Sequence, residues 1–412
     1  MRRALIVGAG IGGLSAGIAL RKAGWDIRIF ERYPSPGELG FGLGLAPNAM
    51  AALHELGVGA LVQARGFEPT TGEIRRMDGA VLKRVALPRG MLGGPMVMAM
   101  RPALHGALLD AVGADAITAS AAATGFTLHG GRVTLHLANG DAVEGDLLVG
   151  ADGVHSVIRR QLHRSEPPPR PSGIVSVRGG VDGAIAHLGG SDAVYYLAPG
   201  LESMFVRASA TGIYWFIAIA QKLVPRARVR LKADTTTADT TTEDTTTEHT
   251  TAKANSTAAG LIAHMAPQFD DTFRAITGAT SELRYDGVLV DRHPLPYWGT
   301  DVVTLVGDAA HPMLPHTGQG AAQAIVDAVT LGRMLSANVD VAATLRAFEA
   351  ERQPKTAALV RQGRRTARFM GVTNPVVSLV REAMIRVVPV TTMARLYVRI
   401  NRRAGTACPT RR

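Results

Sequence analysis

Within its first thirty residues the chain switches from a continuous apolar run to helical spacing and back. Ala4-Leu5-Ile6-Val7 is short, uninterrupted and β-prone, which predicts a strand buried on both faces. Residues 14–22 read as a helix with small side chains on one side, and Asp26-Ile27-Arg28-Ile29-Phe30 returns to strand before Glu31-Arg32. Two later apolar runs end in turns. One is Leu147-Leu148-Val149-Gly150-Ala151-Asp152-Gly153, followed by a helical stretch over 154–161. The other is Val302-Val303-Thr304-Leu305-Val306-Gly307-Asp308, followed by a Pro/Gly loop over 313–320 and an Ala-rich helix from Ala321 to residue 335. Strands that end in turns and helices predict an α/β fold with a Rossmann-like parallel sheet.

A second pattern interrupts the first. Strands are expected at 174–181, 193–197, 204–209 and 213–220, forming a largely antiparallel β-sheet interleaved with the parallel one. Pro167-Pro168-Pro169-Arg170-Pro171 marks the crossing into this sheet and His293-Pro294-Leu295-Pro296 the return. The expected organisation is a discontinuous nucleotide-binding domain over 1–72, 98–165 and 290–365, with a substrate-binding domain over 73–97 and 166–289. Basic C-terminal helices are expected over 366–412. Within 226–256 an Asp-Thr-Thr-Thr unit recurs every five residues with almost nothing apolar, which predicts a disordered low-complexity insert.

Composition narrows the function classes. The 412 residues are 46% hydrophobic and 19% charged, enough for two or three domains with real cores and too apolar for wholesale disorder. The single cysteine, Cys408, excludes a disulfide framework and any cysteine-ligated metal, and no metal is expected. Net charge is +11, and between residues 355 and 412 the only acid is Glu382. No aromatic-interleaved basic patch accompanies this tail, so nucleic acid is not an expected partner. The tail reads as a solvated face, with weak peripheral contact to anionic lipid as the alternative. Glycines at 8, 10, 12, 13 and 17 break the run 4–20, so neither a signal peptide nor a spanning helix is expected and the location is read as cytoplasmic. Monomer and homodimer stay open.

Gly8-Ala9-Gly10-Ile11-Gly12-Gly13 lies between the first strand and helix, with an acid, Glu31, about twenty residues on. Gly8 permits the tight turn, Gly10 lets backbone approach a pyrophosphate, and Gly13 allows close helix–strand packing. The helix N-terminus offers free N–H groups and positive dipole to phosphates, and Glu31 suits ribose hydroxyls. A dinucleotide is expected here.

Taken with the Asp152-Gly153 and Gly307-Asp308 turns, these residues resemble the single-component FAD-dependent monooxygenases of the para-hydroxybenzoate, salicylate and urate hydroxylase type. The resemblance implies FAD as cofactor and NADPH or NADH as transient electron donor visiting a cleft, since only one such glycine motif is present. It implies transfer of one oxygen atom from O2, through a flavin C4a-hydroperoxide, to a small aromatic or polycyclic substrate. Carried over by position, Arg101 reaches the phosphate region, Asp152 and Gly153 sit between FAD and the nicotinamide, and Arg159 supports them. Arg32 flanks the ribose acid. Gly307 and Asp308 face the ribityl chain, and Gly318-Gln319-Gly320-Ala321 lines the pyrimidine edge. The helix after that loop would stabilise reduced, anionic flavin.

No catalytic residue is fixed. Candidates for the pocket are Arg178, Tyr196, Arg207, Tyr214, Trp215, Pro312 and His316, with at most one of Tyr214 and Trp215 facing the flavin because strand side chains alternate. Two alternatives stand beside this reading. One is an FAD-dependent reductase or dehydrogenase acting on a prenyl or polycyclic substrate without oxygen insertion, and the other a non-enzymatic flavin-binding redox module.

Overall fold

A computed structural model describes residues 1–35, 41–224 and 256–404. The Asp-Thr-Thr-Thr repeat and Cys408 lie outside the described residues.

The short apolar runs become a five-stranded parallel sheet in the order Val303–Leu305, Leu147–Gly150, Arg3–Val7, Asp26–Phe30 and Ile117–Thr118. Its central strands are buried on both faces, which is why they carry no polar alternation. Helix Ile11–Lys22 covers one face, and Gly17 lets it lie against Ile27 and Ile29. Helix Gly320–Ala337 packs against that helix where Gly332 meets the backbone of Ala19. A three-stranded antiparallel meander, Ala123–His129, Arg132–Leu137 and Ala142–Gly145, leads into the strand before Asp152.

The second layer is a seven-stranded sheet. Its order is Glu282–Asp291, Arg170–Asp182, Gly212–Ala220, Leu201–Arg207, Ala193–Ala198, Thr71–Arg75 and Val81–Ala86. All neighbours are antiparallel except Ala193–Ala198 with Thr71–Arg75. The strand expected at 204–209 instead spans Leu201–Arg207, because Pro199-Gly200 makes a two-residue hairpin that pairs Ala198 with Leu201. Gly200 there has φ +68°, the left-handed region that glycine enters without a Cβ penalty.

The two faces of this sheet differ. The outer face carries Val177, Tyr196, Phe205 and Trp215, covered by a helix over 256–265 and by Asp271–Gly278. The inner face carries Met204, Val206, Tyr214 and Phe216. It rests on a two-stranded antiparallel ribbon, Gly42–Leu45 with Val97–Met100, that belongs to neither large sheet. Helix Val341–Met370 then runs to two C-terminal helices, Pro375–Val387 and Val390–Ala404. Among the described residues no helix is long and apolar enough to cross a membrane.

Candidate functional site

Three adjacent parallel strands, ending at Val7, Gly150 and Leu305, deliver Gly8–Gly13, Asp152-Gly153 and Gly307-Asp308 to one edge of the sheet. Open α/β sheets bind ligands at such carboxyl ends. The glycines are required by space. Gly8 has φ +101°, and a Cβ on Gly13 would lie 1.9 Å from Gly8 O. Helix Ile11–Lys22 begins at Gly10 with no side-chain cap, so its first N–H groups face outward unclaimed by a cap. A pyrophosphate fits that cradle.

Glu31 braces the same turn. One oxygen accepts from Ala9 N at 2.8 Å and the other from Tyr33 N at 3.1 Å. Arg32 stacks its guanidinium over Tyr33 at 4.7 Å. His105, on helix Arg101–Val112, donates from Nε2 to Ala9 O at 2.8 Å from below. Sequence reasoning missed His105, which is buried mid-helix. Arg101 opens that helix, and its N–H donates to Phe41 O at 3.0 Å.

At the second turn, Asp152 Oδ2 accepts from Val157 N at 2.7 Å, capping helix Val157–Leu162, while Oδ1 has no protein partner among the described residues. Burial, outweighing its backbone and Ser156 bonds, raises the Asp152 carboxyl above its ordinary range. Gly153 has φ +77° and nothing near where a Cβ would be. Arg159 differs from expectation. It does not brace Asp152 but is fully buried, paired with Glu166 and donating to Ala309 O and Ala310 O at 2.9 Å each. Burial would raise the Glu166 carboxyl, but Arg159 holds it below its usual range. Arg159 therefore clamps the third turn.

The third turn stands on a buried network. Asp327, from helix Gly320–Ala337, accepts from His311 Nε2 at 2.6 Å, Gly307 N at 3.0 Å and Arg352 Nε at 2.7 Å. Arg352 also reaches Gln323 Oε1. Burial would raise Asp327, but His311 and Arg352 pull it below the ordinary carboxylate range. Within 302–312, Asp308 alone is exposed. Its carboxylate lies 4.0 Å from where a Gly320 Cβ would stand, at the uncapped start of helix Gly320–Ala337. Gly318 has φ +63°, and Gln319 turns its side chain inward to Asn48 and Gln323. Ala321 follows in the first turn of that helix.

Of the pocket candidates, Tyr214 lies on the inner face, with its ring against the backbone of Gly42. Arg178 sits beside its hydroxyl and pairs with Asp286 at 2.6 Å. Trp215 does not line this layer: it stacks on Phe205 in the outer core and donates to Thr280 Oγ1 at 2.9 Å. Tyr196 also faces outward, donating to Asp270 Oδ1 at 2.6 Å, so its neighbour Tyr195 takes the inner position. The period of two, misplaced by one residue, moves a side chain to the opposite face. Arg207 stacks over Phe67 at 3.9 Å and lies 3.8 Å from Asp192, at the strand's end rather than in the layer. Pro312 is buried beside His311. His316 sits on the turn Pro315–Thr317 with its side chain 2% exposed, and Glu202, unnoticed in the sequence, faces it.

Comparison with known proteins agrees with this geometry. Residues 2–363 match the model of the FAD binding domain family. The aurachin C monooxygenase/isomerase of Stigmatella aurantiaca is 32% identical over 93% of each chain. The 3-amino-4-hydroxybenzoate 2-monooxygenase of Streptomyces cremeus is 30% identical over 89% of this chain and 86% of its own. Klebsiella pneumoniae HpxO, solved with FAD and uric acid, superposes with a TM-score of 0.83 at 24% identity, over 98% of this chain and 97% of HpxO. The chain belongs to the FAD binding domain family and is an FAD-dependent monooxygenase of the aromatic-hydroxylase type.

Proposed function

We propose that this monooxygenase draws electrons from NADPH or NADH and places one oxygen atom of O2 on a small aromatic or polycyclic acceptor held under the seven-stranded sheet. One observation carries the reading. The layer between that sheet and the two-stranded ribbon is built from Phe41, Met98, Met100, Met204, Tyr214 and Phe216, thioethers and rings that suit a flat apolar guest. Arg178 with Asp286 supplies its polar end.

In this reading the Gly8–Gly13 turn and the first turn of its helix hold the FAD pyrophosphate, Glu31 and Arg32 the ribose side, and Arg101 the phosphate region. Asp308, fixed by Asp327 through Gly307, holds the ribityl chain. Gly318–Ala321 and the helix dipole behind them meet the pyrimidine edge. Asp152 and Gly153 line the approach of the nicotinamide. Bound FAD supplies two-electron reduction and oxygen activation; the chain orients the acceptor and keeps water out. Holoprotein supplied with NAD(P)H, 18O2 and an acceptor panel is expected to yield one product heavier by a single labelled oxygen. Anaerobic product formation without label would favour the reductase.

A separate observation supports peripheral lipid contact. Helix Pro375–Val387 is inverted: Ser378 and Arg381 are buried, while Val376, Leu379, Val380, Met384 and Val387 are exposed. Exposed Arg365, Arg368 and Arg386 flank this face. The combination matches an interfacial helix on an anionic surface. Co-sedimentation with phosphatidylserine vesicles at low salt is expected, weakened at high salt and lost in Val380→Glu/Met384→Glu. Equal recovery with neutral vesicles at every salt concentration would refute it.

A further inference from the structure

A groove lies between helix Val157–Leu162 and the edge strand of the meander, Ala123–His129, and shares no residue with the apolar layer or the Gly8–Gly13 cradle. Its volume is about 530 Å³, within the span of small-ligand sites. One side is fixed by a side-chain amide. Gln161 accepts from Phe126 N at 2.8 Å and donates to Phe126 O at 2.6 Å, taking the place of a further strand. Gly125 leaves it room, since a Cβ there would stand 2.7 Å from Gln161 Oε1. Arg160, Arg164 and His136 line the same groove, and no carboxylate does. Both arginines are exposed, and neither has a carboxylate partner among the described residues. Arg132, on the strand that carries His136, is by contrast held by Glu144 at 3.4 Å and Asp146 at 3.5 Å.

The positive charge continues from the groove to the second turn. Arg292 donates from Nε to Val154 O at 3.0 Å, at the residue after Gly153, and pairs with Glu166 at 3.1 Å. Burial lowers the Arg292 guanidinium and Glu166 opposes this. Arg159 and Arg160 add to the lowering, so Arg160 stands within Coulombic reach of Arg292. Groove and turn also meet at Val157, which lines the groove and whose N–H is the one accepted by Asp152. A line of guanidinium groups therefore leads from the groove to Asp152-Gly153. Two like charges around one hollow repel each other. A dianion between them replaces that repulsion with charge-assisted hydrogen bonds, and the planar guanidinium fork matches phosphate oxygens.

We propose that this groove binds a phosphate monoester, the 2′-phosphate of NADPH, and that the chain therefore takes NADPH in preference to NADH. This rests on the monooxygenase reading above, in which Asp152 and Gly153 line the approach of the nicotinamide. Arg160 and Arg164 hold the phosphate and His136 adds a ring nitrogen beside them. NADH, without that phosphate, leaves the two arginines to water. The groove thus selects the donor at its adenosine end, away from the hydride that the nicotinamide gives up.

The test follows flavin reduction in holoprotein without oxygen, with NADPH or NADH as the only donor. Wild type is expected to bind NADPH about 10–100-fold more tightly than NADH, and 2′,5′-ADP to compete with NADPH where 5′-AMP does not. Arg160→Ser/Arg164→Ser is expected to bring the two donors level and to abolish that competition. Arg132→Ser, whose partners are Glu144 and Asp146, should keep the wild-type preference. The preference should shrink as salt rises, because both arginines are exposed. Equal affinity for the two donors in wild type, or a preference that survives in Arg160→Ser/Arg164→Ser, overturns the proposal. So does 2′,5′-ADP binding that needs both arginines yet leaves NADPH affinity unchanged, which assigns the groove to a separate phosphorylated effector. Oxygen insertion driven equally well by NADH overturns it too, yet leaves the monooxygenase reading intact. NADPH preference without oxygen incorporation does the reverse.

Discussion

Asp327→Ala is expected to cost about 3–5 kcal/mol of stability, because it strands Arg352 in a fully buried site without its counter-charge and takes the hydrogen-bond partner from His311 Nε2. It also removes the acceptor of Gly307 N, so the turn that carries Asp308 loses its support. Denaturant unfolding with FAD retention measured in parallel checks both effects. An unchanged midpoint with full flavin content would mean the network is ornamental. Asp327→Asn keeps the shape but not the charge, and should fall between the two. A pH dependence follows from the lowered Asp327 and Glu166 carboxyls. A depressed folded-state pKa gives stability that is complete above the unfolded value, about 4, and is lost as pH falls through the folded one. Thermal unfolding below about pH 4 should therefore drop steeply in wild type. The drop should be shallower in Asp327→Asn.

Gly13→Ala is expected to give a colourless protein. The added Cβ would stand 1.9 Å from Gly8 O, and backbone cannot swing aside as a flexible side chain would. Either the helix start or the Gly8 turn must move, and both belong to the cradle proposed above for the pyrophosphate. Overpacking of this kind costs about 1–3 kcal/mol, which alone weakens FAD binding by about 5–150-fold if the holo geometry carries it. Fluorescence titration of apoprotein with FAD measures the loss. Gly12→Ala is the matched control, since its Cβ would meet only Ala324 Cβ at 3.4 Å. Equal affinity in the two variants would show that the opening turn does not hold the cofactor as argued.

The three turns were legible because local sequence dictates them. A β-prone run followed by glycines with positive φ or no room for a Cβ leaves few structures open. The parallel sheet followed from those runs, and the cofactor from the resemblance their turns carry. What supports the turns was not legible. His105, Asp327 and Arg352 act across separations that no local pattern encodes, such as the 96 residues between His105 and Ala9. An acid inside the Ala-rich helix and a histidine after Ala309-Ala310 were the only hints. On the antiparallel sheet the strands were found but the parity was not. Tyr195-Tyr196 and Tyr214-Trp215 each offer two large side chains in succession, so hydrophobicity alone does not say which faces the two-stranded ribbon. Glu202 escaped because an isolated acid in a strand reads as solvent-facing until the opposing layer is known.

The order of strands in the parallel sheet has a consequence for synthesis. The strand at its end, Val303–Leu305, arrives last, about 150 residues after its partner Leu147–Gly150 and almost three hundred after the central strand Arg3–Val7. The earlier strands must wait, with one sheet edge open, through translation of the whole second layer, and such non-local pairing is slow and prone to aggregation. A nascent polypeptide stopped before residue 303 has two of the three turns, so in the proposed reading it offers no complete berth for FAD.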